Sequence, residues 1–442
     1  MTDSGTCGVR AALLLALALV AVACGQGTGA GRPDRSADGR GPGPPVAEAP
    51  LDLSGGAATL PVPVSARRSP ALVVTDRRVL VLGGQERDGT EARGLTDGVV
   101  YDLDRQGWWA LPDLPVALAA PAGLWSAAAV VVGTACTREV WVEAEEVSRC
   151  RPGGLRAFRW APDAPQWEQL RLSSLPEELR RLPQVPWAFR PVGRVDGWAV
   201  FAHAGDVTPP ITSVGDGMVL WLLDPQTGAS RWVAVPPGWG VCGRGRDLLA
   251  HPGGYPGGPV PPDALAQPLR LQRLDPDRMA WLPVAGSETP RPLTGDVTAE
   301  ALRCSDDGQL AYEAVRAAEG RHAILLWEPD RGAWRRLPDL VGLDAATPAA
   351  PPVEHDGTLA VYDPGRASWF VLTPAADGWA EREGPPPPGA GLGARGAAGV
   401  GRSGSLRVAL IEAHGDRPLE LLVSDVARIV GGLGPGAPAP PG

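Results

Sequence analysis

Between about residue 65 and residue 430 the chain alternates short apolar runs with polar breaks in a unit that repeats. The clearest copy runs from Val79 to Pro115. It predicts two hydrophobic strands separated by the Gly83-Gly84 stop and a long polar loop, then a tight turn into a strand that opens on Trp108 and Trp109. A third strand, turn and Trp pattern recurs at Trp167, Trp232, Trp281, Trp334 and Trp379. Five of these six Trp stand five residues after a Pro or its Leu103 equivalent, and Trp232 needs seven. A spacing that constant describes one turn used repeatedly, in which Pro fixes φ, Asp or Gly accepts the turn conformation and Trp opens the return strand. Intervals between successive Trp run from 45 to 65 residues, room for four short strands and their loops. Two further strand-like runs precede each copy, from ALVVTD with RVLVLGG to APPVEHDG with TLAVYD. The segment ending at Trp369 also fits the turn pattern, but using it would leave its unit short, so Trp379 is the expected anchor.

Composition sharpens this picture. With 58 Gly and 49 Pro in 442 residues a helical fold would be interrupted everywhere, which favours an all-β fold with many turns. Aromatic area is concentrated in 16 Trp, as packing between repeated sheets requires. A net charge of -9 argues against nucleic acid as a partner. All 41 basic residues are Arg, which reads as the codon bias of a GC-rich, actinobacterial-type genome.

The ends read differently. An apolar run from Ala11 to Ala23 follows Arg10; its 13 residues are too few to cross a bilayer and suit an export signal. Ala21-Val22-Ala23-Cys24-Gly25 resembles a bacterial lipobox, with Ala21 where Leu is usual, which implies a diacylated Cys24 as the new N-terminus. The alternative is an ordinary A-x-A cleavage site that leaves Cys24 free. Acylation leaves four Cys to pair, whereas a free Cys24 leaves an odd one. Expected organisation is therefore a lipoprotein signal over 1–24, a tether over 25–47, one folded domain over 48–430 and a tail over 431–442. The implied address is the outer leaflet of the cell membrane.

Apolar strand, Gly-Gly, long loop, YD, turn, Trp and LP together resemble the kelch repeat, over about residues 65 to 430. That resemblance implies a β-propeller of six or seven blades. Later copies keep the turn and Trp but lose Gly-Gly in part. After Trp379, ARGAAGVGRSG, SLRVALIEAHG and PLELLVSD supply three strands without a fourth, while Leu51-Asp52-Leu53 and Leu60 to Val64 offer an unpaired one. Closing the ring removes exposed edges. The expectation is seven four-stranded antiparallel blades, the last completed by the N-terminal strand, with six blades as alternative.

Candidate chemistry is sparse. Cys136 and Cys150 can clip the long loop of the second blade, provided AAAVVVG is the strand before it; Cys242 and Cys304 fall at comparable places in the innermost strands of adjacent blades. Two disulfides suit an oxidising compartment. His203, His251 and His414 end second strands and His322 opens a third, which puts them near one face, spread over different blades; His355 faces the other way. Innermost strands carry Arg194, Arg244, Arg246, Arg303, Arg395 and Arg402, and converging Arg could bind a carboxylate or sulfate. Gly391 to Gly396 matches G-x-G-x-x-G in the wrong context, after PPPPG and before a strand. Nothing calls for a cofactor or a bound metal. The kelch family includes copper-radical oxidases, but Tyr101 and Tyr362 occupy the structural YD slot here.

The expected function is a monomeric, membrane-tethered binding module outside the cytoplasm, held by its lipid anchor. Loops Gln85 to Gly98, Thr134 to Gly154, Asp206 to Gly217 and Pro252 to Gln267 would meet an envelope protein or glycan. The alternative is a carbohydrate-active enzyme, epimerase- or lyase-like, working at the channel mouth.

Overall fold

The repeated turn folds around a carboxylate. Oδ1 of Asp102 accepts the main-chain N–H groups of Asp104 and Arg105, and Gln106 closes the turn at φ 52° with its own N–H on the Asp102 carbonyl. Asp275 caps Asp277 and Arg278 in the same way before Met279 at φ 52°, and Asp224 caps Gln226 before Gly228 at φ 76°. The residue four after the acid goes left-handed each time, which fixes where the return strand begins. Trp108, Trp281 and Trp334 then stand opposite the residue just before the acid: Tyr101, Leu274 and Trp327. Trp232 stands opposite Trp221, one pleat further along, which accounts for its longer spacing.

A computed structural model of the protein describes residues 45–54, 56–75, 77–88, 91–135, 138–142, 145–147, 154–162, 164–172, 189–203, 218–236, 239–244, 247–252, 270–290, 299–304, 309–316, 319–343, 352–355, 357–363, 366–374, 376–383, 397–403, 406–411 and 419–432. Two strands, β1 (Pro45–Glu48) and β2 (Ala57–Pro61), precede the first blade. Blade 1 is β3 (Ala71–Val74), β4 (Arg78–Leu82), β7 (Gly98–Asp102) and β8 (Gly107–Ala110), with the hairpin β5 (Gln85–Asp88) and β6 (Glu91–Gly94) between β4 and β7. Blade 2 is β9 (Leu118–Trp125), β10 (Ala129–Ala135), β13 (Leu155–Trp160) and β14 (Glu168–Gln169), with β11 (Arg138–Val142) and β12 (Glu145–Val147) between β10 and β13. Blade 3 is β15 (Phe189–Val195), β16 (Trp198–His203), β17 (Val219–Leu223) and β18 (Ser230–Ala234); blade 4 is β19 (Trp239–Arg244), β20 (Asp247–Pro252), β21 (Gln272–Asp275) and β22 (Ala280–Pro283). Blade 5 is β23 (Ala299–Cys304), β24 (Leu310–Arg316), β25 (Arg321–Glu328) and β26 (Ala333–Arg336), with β27 (Leu340–Val341) added on β25. Blade 6 is β28 (Val353–His355), β29 (Thr358–Asp363), β30 (Ser368–Leu372) and β31 (Ala380–Glu383). Trp379 leads into β31 and Trp369 lies within β30, so Trp379 is the anchor of this blade.

Blade 7 takes β32 (Ala397–Ser403), β33 (Leu406–Ile411) and β34 (Glu420–Asp425) from the end of the chain and β2 from its start. Seven four-stranded antiparallel sheets therefore form a ring, a seven-bladed β-propeller closed by the N-terminal strand. β1 adds a fifth strand outside β8, so residues 45–61 grip both sides of the closure, and Tyr101 fixes the crossing by donating its hydroxyl to the Ala49 carbonyl at 2.6 Å.

Each blade buries apolar side chains of alternate parity against its two neighbours. Val79, Val81 and Tyr101 of blade 1 join Val408, Leu410 and Val423 of blade 7, while Leu80, Leu82 and Val100 join Val131, Phe158 and Trp160 of blade 2. Innermost strands approach so closely that glycine is required in places. A Cβ on Gly123 of β9 would stand 2.4 Å from Val73 of β3, and one on Gly243 of β19 would stand 2.7 Å from the Val192 carbonyl of β15. After β34 the chain forms α1 (Val426–Gly432), capped by Oδ1 of Asp425 on the Ala427 N–H. Among the described residues no helix is long and apolar enough to cross a membrane.

Candidate loop-end site

Strand order gives the propeller two ends. Connections between the second and third strands, and between blades, leave from one end, the loop end; the tight turns lie at the other. At the loop end of blade 1, Gly83 (φ 64°) and Gly84 (φ 88°) turn the chain out of β4. Gly84 cannot be replaced freely, because a Cβ there would stand 2.6 Å from the Arg68 carbonyl. Beneath this root lies Arg67, 1% exposed. Its guanidinium donates to both carboxylate oxygens of Asp97, to the carbonyls of Gly83 and Asp97, and to the Ser65 hydroxyl. A buried Arg with its donors engaged in this way holds the departing and returning chain in fixed register.

From that root the segment expected as a loop forms strands. β6 pairs with β11 of blade 2, giving a four-stranded sheet in the order β12-β11-β6-β5 that joins the first two blades outside the ring. Register puts Arg93 opposite Arg138, Ala92 opposite Glu139 and Glu91 opposite Val140. Trp141 lies in β11, opposite Glu146 of β12. The segments around Cys136 and Cys150 fall outside the described residues, as do 206–217 and 253–267 of the other two expected loops.

Three of the sequence-selected histidines lie at the loop end, each in its own blade. His203, last in β16, meets Phe189 edge-on at 5.7 Å, and burial lowers its pKa. His251 is 3% exposed in β20, and burial lowers its pKa to about 4, so the ring is neutral. His322 opens β25 fully buried, with Nδ1 2.6 Å from Oε1 of Glu313. Nothing in the residues around His322 marks that carboxylate, nine residues away in β24, as its partner. Among the described residues no group of three His, Cys, Asp or Glu could hold a metal ion. His414 and Arg246 fall outside the described residues, and Arg244 ends β19 at the turn end, away from the histidines. His355 lies in β28, also at the turn end. Cys242 and Cys304 form a disulfide between β19 and β23, joining the innermost strands of blades 4 and 5.

At the turn end a depression of about 550 Å³ between blades 2 and 3 is lined by Ala128, Arg159, Pro165, Glu168 and Pro225 among others. Arg159 is committed within it, with Nε on Glu168 and Nη1 on the carbonyls of Pro225 and Gln226.

Fold and site define a β-propeller of the kind that serves as a binding scaffold. No protein-family model matches the chain, and no curated protein matches it.

Proposed function

We propose that the protein is an exported, membrane-anchored propeller that binds an envelope protein or glycan through the loop end of blades 1 and 2. The observation that carries this reading is the raised sheet β12-β11-β6-β5 on its Arg67 root. It spends two long connections on strands that leave the ring and pair with each other beyond it, and segments set on a rigid scaffold in this way are where recognition residues concentrate. Export is supported by the disulfide, and lipidation at Cys24 by the Ala11–Ala23 run and the Ala21 to Gly25 motif. β1 runs antiparallel to β8, so Pro45 stands at the loop end of blade 1.

Two measurements test it. When the full chain is expressed in a bacterial host with labelled palmitate, label and membrane association should be lost in Cys24→Ala; an unlabelled wild type overturns the anchor. On a glycan array and against separated envelope proteins, replacing residues 86–93 and 139–147 with Gly-Ser links should abolish binding while leaving the melting temperature of the ring nearly unchanged. Undiminished binding by that variant overturns the loop-end assignment.

A further inference from the structure

The seam between blades 6 and 7 is filled differently from its counterparts. On the face that a blade turns toward its predecessor, the pair of opposed residues nearest the turn end is apolar: Val79 and Tyr101 in blade 1, Ala129 and Trp160 in blade 2, Ala199 and Leu223 in blade 3, Leu359 and Leu372 in blade 6. All eight belong to buried clusters. Blade 7 has Arg407 opposite Ser424 at that place. Val408, Leu410, Leu421 and Val423 pack toward blade 1, so strand alternation sends Arg407 and Ser424 toward blade 6. The apolar cluster of this seam accordingly takes Val353, Ala360, Tyr362, Trp369 and Val371 from blade 6 and Ile429 and Val430 from α1, with nothing from β33 or β34.

Both polar residues are buried, Arg407 at 8% exposure and Ser424 at 0%. Nη2 of Arg407 and Oγ of Ser424 are sealed from solvent, and neither has a hydrogen-bond partner among the described residues, not even the other. Register places Arg402 of β32 opposite Arg407 and Ala57 of β2 opposite Ser424. A buried guanidinium N–H and a buried hydroxyl left unbonded destabilise the fold, since each has given up its water without a replacement. In a fold whose other blades meet the same need with apolar pairs, that cost points to something that completes the pair.

We propose that a small oxyanion is held between Arg407 and Ser424 in the seam of blades 6 and 7, beside α1. A guanidinium presents parallel N–H donors at the spacing of two oxygens on a carboxylate, sulfate or phosphate, and the Ser424 hydroxyl supplies a further donor. The remaining exposure of Arg407 is the route by which the ion arrives. This site owes nothing to the anchor or to the loop-end sheet.

Thermal unfolding of the intact chain tests it, with acetate, sulfate or phosphate replacing chloride at constant ionic strength. The wild type should gain a saturating rise in melting temperature with at least one oxyanion, lost in Arg407→Met and reduced in Ser424→Ala. A response to acetate alone identifies a carboxylate ligand; a response to sulfate or phosphate identifies an inorganic or esterified oxyanion. Salts excluded from protein surfaces also stabilise, but that rise does not saturate and is the same in all variants; finding only such a rise overturns the site. Should Arg407→Met fail to fold, equilibrium dialysis of wild type and Ser424→Ala against each labelled ion decides: one ion retained per wild-type chain and fewer by the variant supports the site, and retention of none of the three overturns it.

Discussion

Trp167 donates its indole N–H to the main-chain carbonyl of Pro112 at 2.8 Å, tying the outer strand of blade 2 to the connection that leaves blade 1. The same bond recurs from Trp281 to Ala234, Trp334 to Ser287 and Trp379 to Pro338, each reaching back to the blade before. The repeated Trp is therefore both apolar filling and a hydrogen-bonded staple between neighbours. Trp167→Phe keeps most of the packing and strands the Pro112 carbonyl, so it should cost about 1–2 kcal/mol. Trp167→Ala should cost about 3–5 kcal/mol. Denaturant unfolding of both variants checks this; equal losses would show that the indole N–H contributes nothing.

The Cys242–Cys304 disulfide closes 62 residues, spanning one blade. Cross-linking a loop of that length removes unfolded-state entropy equivalent to about 4 kcal/mol. In a chain with Cys136 and Cys150 both replaced by Ser, Cys242→Ser, Cys304→Ser and reduction should lower stability by about 2–4 kcal/mol each, and reductant should have no further effect once either Cys242 or Cys304 is replaced. A wild type that unfolds at the same denaturant concentration with and without reductant would contradict this.

Much of the ring is legible in the chain because its signals are local. Asp102 and Trp108, or Asp275 and Trp281, lie within one turn of each other, so the turn-to-Trp spacing survives in five of the six copies, and closure follows from counting three strands after Trp379. The raised sheet is not legible, since QERD and EARG have no apolar period and their partner, Arg138 to Val142, lies in another blade. Arg67 and Asp97 are 30 residues apart, and nothing near either announces that one will be buried on the other. Arg407 is hidden for the same reason, as its oddity is visible only against the opposed pairs of other blades. The short helix α1 is not among the expected elements; in the structure Asp425 caps it by accepting the Ala427 N–H.

Arg67 should be among the least replaceable residues of the surface connections. Arg67→Met leaves the Asp97 carboxylate, 2.8 Å from Nη2 in the wild type, without its fork and strands the Gly83 carbonyl. With the Asp97 carboxylate half exposed, the loss comes mainly from the stranded carbonyls and should be about 1–3 kcal/mol. Arg67→Lys should recover little, because an ammonium cannot reach Asp97, Gly83 and Ser65 together. Hydrogen exchange should locate the loss at residues 83–97, with blades 4 and 5 unaffected; uniform deprotection around the ring would argue against a local clamp.

His251 makes an acid-sensitive element of blade 4. Burial lowers its pKa from 6.5 to about 4. The folded state therefore binds fewer protons than the unfolded chain between these values, and stability falls as the pH drops through that window. Its contribution is complete above pH 6.5 and is lost progressively down to about pH 4, a total of roughly 3 kcal/mol at 1.36 kcal/mol per unit. His251→Leu removes the titrating ring but keeps an apolar filling, so it should flatten the plot of unfolding free energy against pH in this range. Carboxylate titration overlaps the lower part of this window in both chains, so the signal is the difference between them. Denaturant midpoints at pH 7, 6, 5 and 4.5 for both chains provide the measurement, and parallel acid limbs would show that His251 is protonated in the folded protein without penalty.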